Sequence, residues 1–342
     1  MANETSRRFF LQTAAGAATV ATLADQVLAG ADTPSGGVPT RPLGRTGETV
    51  SILCLGGWHV GAVANEADAV RLVHAAIDEG VTFMDNAWEY HDGRAEEVMG
   101  KALAQGGYRK KAFLMTKNCG RDYQESRKHL EDSLRRLRTD VIDLWQFHEI
   151  IYDSDPDWVF EKGAMKAALE AREQGKVRYI GFTGHKDPRI HLRMLDKPFD
   201  WDTAQMPINV LDAKYRSFQS EVVPVCLKKG VGILGMKGMG GGGTGVGTIA
   251  AGTDLTPAEC YRYALSLPVS SQVVGVASLV HLKQAIDVAR SFEPLSESAR
   301  AALVARVATV AGDGRFEPFK STQAFDGPVH RAQHGFGQAP RG

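Results

Sequence analysis

Glu66-Ala67-Asp68-Ala69-Val70-Arg71-Leu72-Val73-His74-Ala75-Ala76-Ile77-Asp78-Glu79-Gly80-Val81-Thr82-Phe83-Met84-Asp85-Asn86-Ala87 holds the repeating unit of this chain. Residues 66–79 alternate apolar and charged residues with helical periodicity, Gly80 supplies a stop, and residues 82–87 are short, apolar and bounded, as in a strand buried on both faces. Outward from this unit the same alternation recurs. Strands are expected over 50–56, 82–87, 112–117, 141–148, 177–183, 203–209, 232–237 and 271–276. Helices are expected over 66–79, 95–104, 125–138, 158–174, 188–195, 220–229, 256–265 and 279–290, with Gly80 and Gly175 as C-terminal stops. A turn-bearing entry covers 41–46. Eight strand–helix pairs between 50 and 290 match the ~250 residues of an α/β (β/α)8 TIM barrel, and strict alternation leaves no room for an antiparallel sandwich. A doubly wound sheet is the second choice. Its glycine fingerprint does not follow the first strand, where Gly56-Gly57-Trp58 stops after two glycines.

The chain has 342 residues, with 40 basic against 40 acidic side chains. This balance excludes a nucleic-acid or acidic-membrane partner held by bulk charge and points to a small ligand. Apolar residues make up 43%, enough for a sizeable core. The 37 glycines, about 11% of the chain, exceed the usual ~7% and imply tight turns or close approach to a ligand. Cys54, Cys119, Cys226 and Cys260 are scattered, with no C-x-x-C pair and no histidine at metal spacing. Buried free thiols are expected, with neither disulfide framework nor metal.

Residues 1–31 read as an address. Ser6-Arg7-Arg8-Phe9-Phe10-Leu11-Gln12 resembles the twin-arginine (Tat) export pattern, with Gln12 in place of lysine, and precedes an uncharged run to Ala24. Ala29-Gly30-Ala31 offers small residues for cleavage before Asp32. An N-terminal helix packed on the domain is the alternative. The run is too short for the ~20 apolar residues of a stable membrane span. The expectation is a periplasmic or otherwise extracytoplasmic protein using the Tat machinery, or a cytoplasmic one if the signal is unprocessed. A flexible linker follows over 32–40, then the barrel with a final helix over 41–310 and a tail over 311–342.

In a barrel, working residues sit at the C-terminal ends of strands. Strand two ends Asp85-Asn86-Ala87-Trp88-Glu89-Tyr90, strand three ends Thr116-Lys117-Asn118, and strand four ends Gln146-Phe147-His148. Each polar residue alone has a plain reading, as a cap, a loop packer, a turn charge or a core histidine. Together they converge on one rim. Burying the ammonium of Lys117 demands a carboxylate, and Asp85 on the adjacent strand is available.

These residues resemble the aldo-keto reductases. Asp85, Ala87 and Tyr90 match the family pattern after strand two, Thr116-Lys117 that of strand three, and Asp143-Leu144 with His148 that of strand four. Similarity continues through Leu43-Gly44 and Thr46-Gly47, Ile180-Gly181-Phe182-Thr183, Gln205 with Asn209, and Lys237 with its glycine run. The resemblance implies carbonyl reduction, with Tyr90 as proton donor, Lys117 lowering its pKa, Asp85 anchoring Lys117, and His148 a neutral donor orienting the carbonyl oxygen. It implies a nicotinamide cofactor lying over the barrel mouth, contacted by Thr183, Gln205, Met236, Lys237, Gly240 and Gly241. The run from Gly238 to Gly247 would offer N–H groups to the pyrophosphate. Ser278 and Lys283 resemble a pair holding an adenosine 2′-phosphate, so NADP(H) is preferred to NAD(H). Gly184 and Met236 depart from the family's usual asparagine and aromatic residue. Trp58 and Trp88 are expected to wall the substrate pocket. The resemblance also implies a tail that folds over the mouth. Competing readings are a regulatory or binding subunit with slow turnover and a lyase forming a Schiff base on Lys117.

Overall fold

The computed structural model describes residues 19–29, 37–241 and 247–337. Eight parallel strands close a barrel: β1 (Leu53–Gly56), β2 (Phe83–Asp85), β3 (Phe113–Asn118), β4 (Ile142–Phe147), β5 (Val177–Thr183), β6 (Thr203–Pro207), β7 (Gly232–Met236) and β8 (Ser271–Val274). Neighbours pair in chain order, and β8 closes on β1 with Gln272 opposite Leu53. The expected (β/α)8 barrel is the observed fold. Leu55, Met84, Leu114, Trp145 and Ile180 meet the surrounding helices in the outer apolar layer. Cys54, Phe83, Phe113, Met115, Leu144 and Leu234 fill the interior.

The helix Glu66–Asp78 shows how the unit builds itself. Asn65 accepts the Asp68 N–H at 3.1 Å as its cap, Ala69, Leu72, Val73, Ala76 and Ile77 are buried, and Gly80 follows at φ +96°. Gly175, at φ +73°, likewise follows the helix Ala164–Glu173.

The first expected strand is corrected to two elements. Thr49–Ser51 pairs antiparallel with Thr40–Pro42, and only Leu53–Gly56 enters the barrel. Ser51 causes the break: its hydroxyl donates to the Leu53 carbonyl at 2.6 Å and accepts from the Thr82 and Phe83 amides, holding the chain in a bend. Several other strands end one or two residues earlier than expected. Their last residues leave the ladder for the rim, as Asn86 does by bonding its side chain to the Ala95 carbonyl at 3.0 Å.

The hairpin 40–51 plugs the N-terminal end of the barrel, where Leu43 and Val50 join the interior cluster. Arg41 is fully buried there and donates to the carbonyls of Val269 (2.8 Å) and Leu265 (2.9 Å). Gly44, at φ +53°, lies so close to β7 that a Cβ would stand 2.3 Å from Gly232 N. Residues 38–40, expected as the end of a linker, belong to the fold, with Val38 in the core.

Residues 6–12, which carry the twin-arginine pattern, lie outside the described residues. Residues 19–29 form a helix that lays Val20, Leu23, Ala24 and Val27 against the barrel's outer apolar layer. Among the described residues no helix is long and apolar enough to cross a membrane. Beyond the helix Glu297–Arg306, the chain crosses the C-terminal mouth with two short helices, Pro318–Ser321 and Pro328–Gln333.

Candidate active site

Asp85 ends β2, Lys117 lies in β3, His148 follows β4, and Tyr90 opens a 3-10 turn five residues beyond Asp85. Parallel pairing of β1, β2, β3 and β4 fixes these ends side by side. Lys117 is 1% exposed, and its ammonium donates to Asp85 Oδ1, to the Asn86 carbonyl at 2.7 Å and to the Tyr90 hydroxyl oxygen at 3.3 Å. Three donors therefore meet three acceptors, the condition for keeping a buried ammonium charged. The Tyr90 and His148 rings meet edge to face at 5.6 Å. The four residues singled out in the sequence form one cluster.

The electrostatics differ from expectation at Tyr90. Its phenol is pushed well above the ordinary value of 10.0, first by burial and then by Asp85, Glu89 and Glu149. The Lys117 ammonium, 3.3 Å from the phenol oxygen, favours the phenolate as expected, but burial and these carboxylates prevail. Burial raises Asp85, and Lys117 opposes that rise. His148 is depressed to about 3 by burial, so it is neutral. Its Nδ1 stands 3.0 Å from Glu89 Oε1. Burial alone would raise Glu89, but His330 and His148 hold it well below the usual carboxylate range. Being anionic, Glu89 needs a donor, so the His148 proton sits on Nδ1 and Nε2 presents a lone pair.

Sequence reasoning did not single out Glu89, Cys119, Glu149 or His330, which surround His148. Cys119 Sγ is 3.7 Å from His148 Nδ1. The His330 ring, from the tail, meets that of His148 edge to face at 5.5 Å. Glu149 accepts the Gly327 amide at 2.8 Å and is raised to about 7, chiefly by burial. Glu89 had a legible signal inside the Asp85–Tyr90 run. The tail has no periodicity that would place His330.

On the other half of the rim, Thr183 ends β5 and Gln205 lies in β6, both buried. The Gln205 carboxamide oxygen accepts from Gln146 at 3.2 Å. Met236 ends β7. Lys237 (φ +57°), Gly240 (φ +86°) and Gly241 (φ +119°) then form a tight bend, with a strained non-glycine residue at its start. The tail touches this bend: Lys237 Nζ lies 4.9 Å from the centre of the Phe325 ring, and a Cβ on Gly241 would contact the same ring at 3.4 Å. Residues 242–246 of the glycine run lie outside the described residues. Ser278 caps the helix Leu279–Arg290 by accepting the His281 amide at 3.2 Å, and exposed Lys283 pairs with Asp287 at 2.7 Å. Leu279 and Val280, 54% and 66% exposed, put apolar surface beside them. A buried carboxamide and hydroxyl, a glycine bend opened by Lys237 and the exposed Lys283 make a donor set that fits an extended dinucleotide. The bend is a surface that such a ligand would share with the tail.

Of the two tryptophans, Trp58 is 37% exposed and packs edge to face on His59 and against His91. Trp88 is taken up by the helix Tyr123–Leu137: its indole donates to Asp132 at 3.2 Å and its ring stacks on His129 at 3.7 Å.

A family model described as "Aldo/keto reductase family" matches residues 52–245. Among known proteins, "Uncharacterized oxidoreductase YrpG" of Bacillus subtilis is 34% identical over 224 residues, covering 58% of this chain and 66% of that one. "6-dehydroglucose reductase" of Novosphingobium aromaticivorans is 36% identical over 166 residues, covering 44% and 53%. The matched stretches thus span about half to two-thirds of these relatives. Among solved structures, "aldo-keto reductase AKR11C1 from Bacillus halodurans (holo form)" superposes with a TM-score of 0.66 at 24% identity, over 82% of this chain and 99% of that one, a likeness of fold.

Proposed function

We infer that this chain, which belongs to the aldo/keto reductase family, is an NADPH-dependent oxidoreductase that reduces an aldehyde or ketone to an alcohol, with Tyr90 as proton donor. The observation that carries this reading is the buried chain Asp85–Lys117–Tyr90. Lys117 donates to the phenol oxygen, which leaves the phenolic hydrogen free to be given away.

Reduced nicotinamide, when bound, supplies the hydride. The raised pKa keeps Tyr90 protonated through the neutral range, so the donor is always loaded. An alkoxide is a stronger base than a phenolate and takes the proton. The Lys117 ammonium, 3.3 Å from the phenol oxygen, then faces the phenolate left behind. Asp85 and the Asn86 carbonyl hold that ammonium in place. The same bonds argue against a Schiff base on Lys117, whose nitrogen is engaged as a donor in three directions and presents no lone pair. Thr183, Gln205 and Met236 would hold the nicotinamide, Lys237 with Gly240 and Gly241 the pyrophosphate, and Ser278 with Lys283 the 2′-phosphate.

The reading includes export. The twin-arginine pattern at 6–12 suits a chain delivered folded by the Tat machinery to an extracytoplasmic compartment with its cofactor already bound. Processed protein beginning near Asp32 in the cell envelope, carrying bound nicotinamide, is the expected finding; its absence there rejects export.

The activity is tested by following loss of NADPH absorbance across a panel of aldehydes and ketones, with the Tyr90→Phe variant beside the parent. The variant should lose at least ~10² in kcat, with cofactor affinity little changed. Near-parental turnover would remove Tyr90 from the role.

A further inference from the structure

We propose that Glu89, Cys119, His148 and His330 form a tetrahedral site for a zinc-like divalent cation, which fastens the tail across the barrel mouth. A carboxylate oxygen, a sulfur and two ring nitrogens, one from each residue, lie within 4.8 Å of one another. Three of the separations are 3.0 Å (His148 Nδ1 to Glu89 Oε1), 3.5 Å (His330 Nε2 to Glu89 Oε1) and 3.7 Å (Cys119 Sγ to His148 Nδ1). Bonds of ~2.0–2.1 Å to nitrogen or oxygen and ~2.3 Å to sulfur give a tetrahedron with edges of roughly 3.3–3.6 Å. Three of the six edges approach that size, and the others lie within 4.8 Å, so binding an ion draws the four groups together.

A second observation also points to a missing partner. Glu89 Oε2 is buried and has no hydrogen-bond partner, and His330 Nε2, also buried, reaches only Glu89 Oε1 at 3.5 Å, an arrangement that costs free energy unless something else satisfies these atoms. Arg121 does not fill the need. Its Nη2 approaches His330 Nδ1 at 3.4 Å, but both hydrogens on that nitrogen are taken by the carbonyls of His148 (2.8 Å) and Glu149 (2.9 Å). An ion on His330 Nε2 would leave the imidazole proton on Nδ1, 3.4 Å from Arg121 Nη2. A thiolate and a carboxylate balance the two charges of the cation, so the loaded cluster is neutral, as a buried site should be. Zinc suits this mixture of sulfur, nitrogen and oxygen donors.

Three ligands come from the rim: Glu89 after β2, Cys119 after β3 and His148 after β4. The fourth comes from the tail helix Pro328–Gln333, more than 180 residues later, whose Gln333 also donates to the Cys119 carbonyl at 2.9 Å. Binding therefore joins the tail to the mouth. It also sets a tautomer. An ion on Nδ1 moves the His148 proton to Nε2 and turns that nitrogen from acceptor to donor, the state needed to orient a carbonyl oxygen. This last consequence rests on the reductase reading; the site does not.

The test strips the full chain with a chelator, dialyses it against zinc alone and counts metal after removal of excess. About one zinc per chain is expected. Cobalt in its place should give a sulfur-to-cobalt charge-transfer band that disappears in Cys119→Ser. Cys119→Ser and His330→Gln, assayed separately, should each weaken zinc by more than the ~10²-fold that loss of an outer-sphere partner costs, with circular dichroism unchanged. Zinc well below one per chain, or parental affinity in both variants, overturns the site. If one variant fails to fold, the other and the cobalt band still decide. NADPH turnover is measured in parallel. An active chain that takes no zinc rejects the site and keeps the reductase reading, whereas a zinc-loaded chain inert toward every carbonyl does the reverse.

Discussion

Both ends of the barrel are closed by chain from outside it, and they are closed by different physics. At the N-terminal end, Leu43 and Val50 complete an apolar interior and the buried Arg41 guanidinium is held by two carbonyls. Burial lowers that guanidinium to about 10, which still leaves it charged at neutral pH. At the C-terminal end the tail brings Lys320 onto Asp212, Asp326 onto Lys186 and Tyr152, and His330 onto Glu89. Glu89 Oε2 there is buried without a hydrogen-bond partner, while His185 Nε2 and His330 Nε2 reach the carboxylates of Asp326 at 3.6 Å and Glu89 at 3.5 Å. Apolar closure is insensitive to solution conditions near neutrality. Closure by charged groups responds to protons and bound ions, and so the responsive end is the one that carries the chemistry.

The sharpest way to break this comparison is to cut into the inert end. Leu43→Ala should cost about 2–5 kcal/mol, the range for emptying a core leucine, and should appear as one cooperative shift in the denaturant midpoint. A loss confined to the hairpin, with the barrel unaffected, would make the plug an accessory. On the responsive end, replacing Lys283 with Met asks whether the side of the mouth near β8 reads a phosphate. If it does, NADPH should weaken relative to NADH by about ten- to a hundredfold, as for one charge-assisted hydrogen bond. Equal losses of both cofactors would assign Lys283 to its helix and to Asp287.

The smallest effect separates the two ends by pH. Burial would raise Asp326, but His185, Lys186 and Tyr152 hold it down to about 2, against 3.8 when unfolded. A depressed carboxylate stabilises fully above 3.8, and that contribution drains away as pH falls through 2, a loss of roughly 2 kcal/mol. Amides of 311–337 should therefore lose hydrogen-exchange protection in this window before those of 40–51 do. Asp326→Asn should remove the difference, and simultaneous loss at both ends in the parent chain would defeat the distinction.

Legibility in the sequence followed the same division. The strand–helix repeat and the Asp85–Lys117 pairing could be read because each depends on residues near in sequence or on adjacent strands. Burying Lys117 required a carboxylate, and only a neighbouring strand end could supply it. The lowered pKa expected for Tyr90 was not found, since desolvation depends on how much chain covers a group and no local pattern records that. Cys119 and His330 looked unrelated because 210 intervening residues separate them and the tail shows no periodicity. Ser51 hid its bend because an apolar run with one serine reads as an uninterrupted strand.

The hairpin has a consequence for how the chain is made. Arg41 takes its acceptors 224 and 228 residues later, and Arg45 its carbonyl partner Lys229 184 residues later. A ribosome delivers this plug long before its seat, so the hairpin waits while most of the barrel is made for the contacts that bury it. Long-range closure of this kind is slow. Val50 and Leu43 stay uncovered on the nascent chain meanwhile, which leaves the hairpin 40–51 as apolar surface for a chaperone to hold during synthesis.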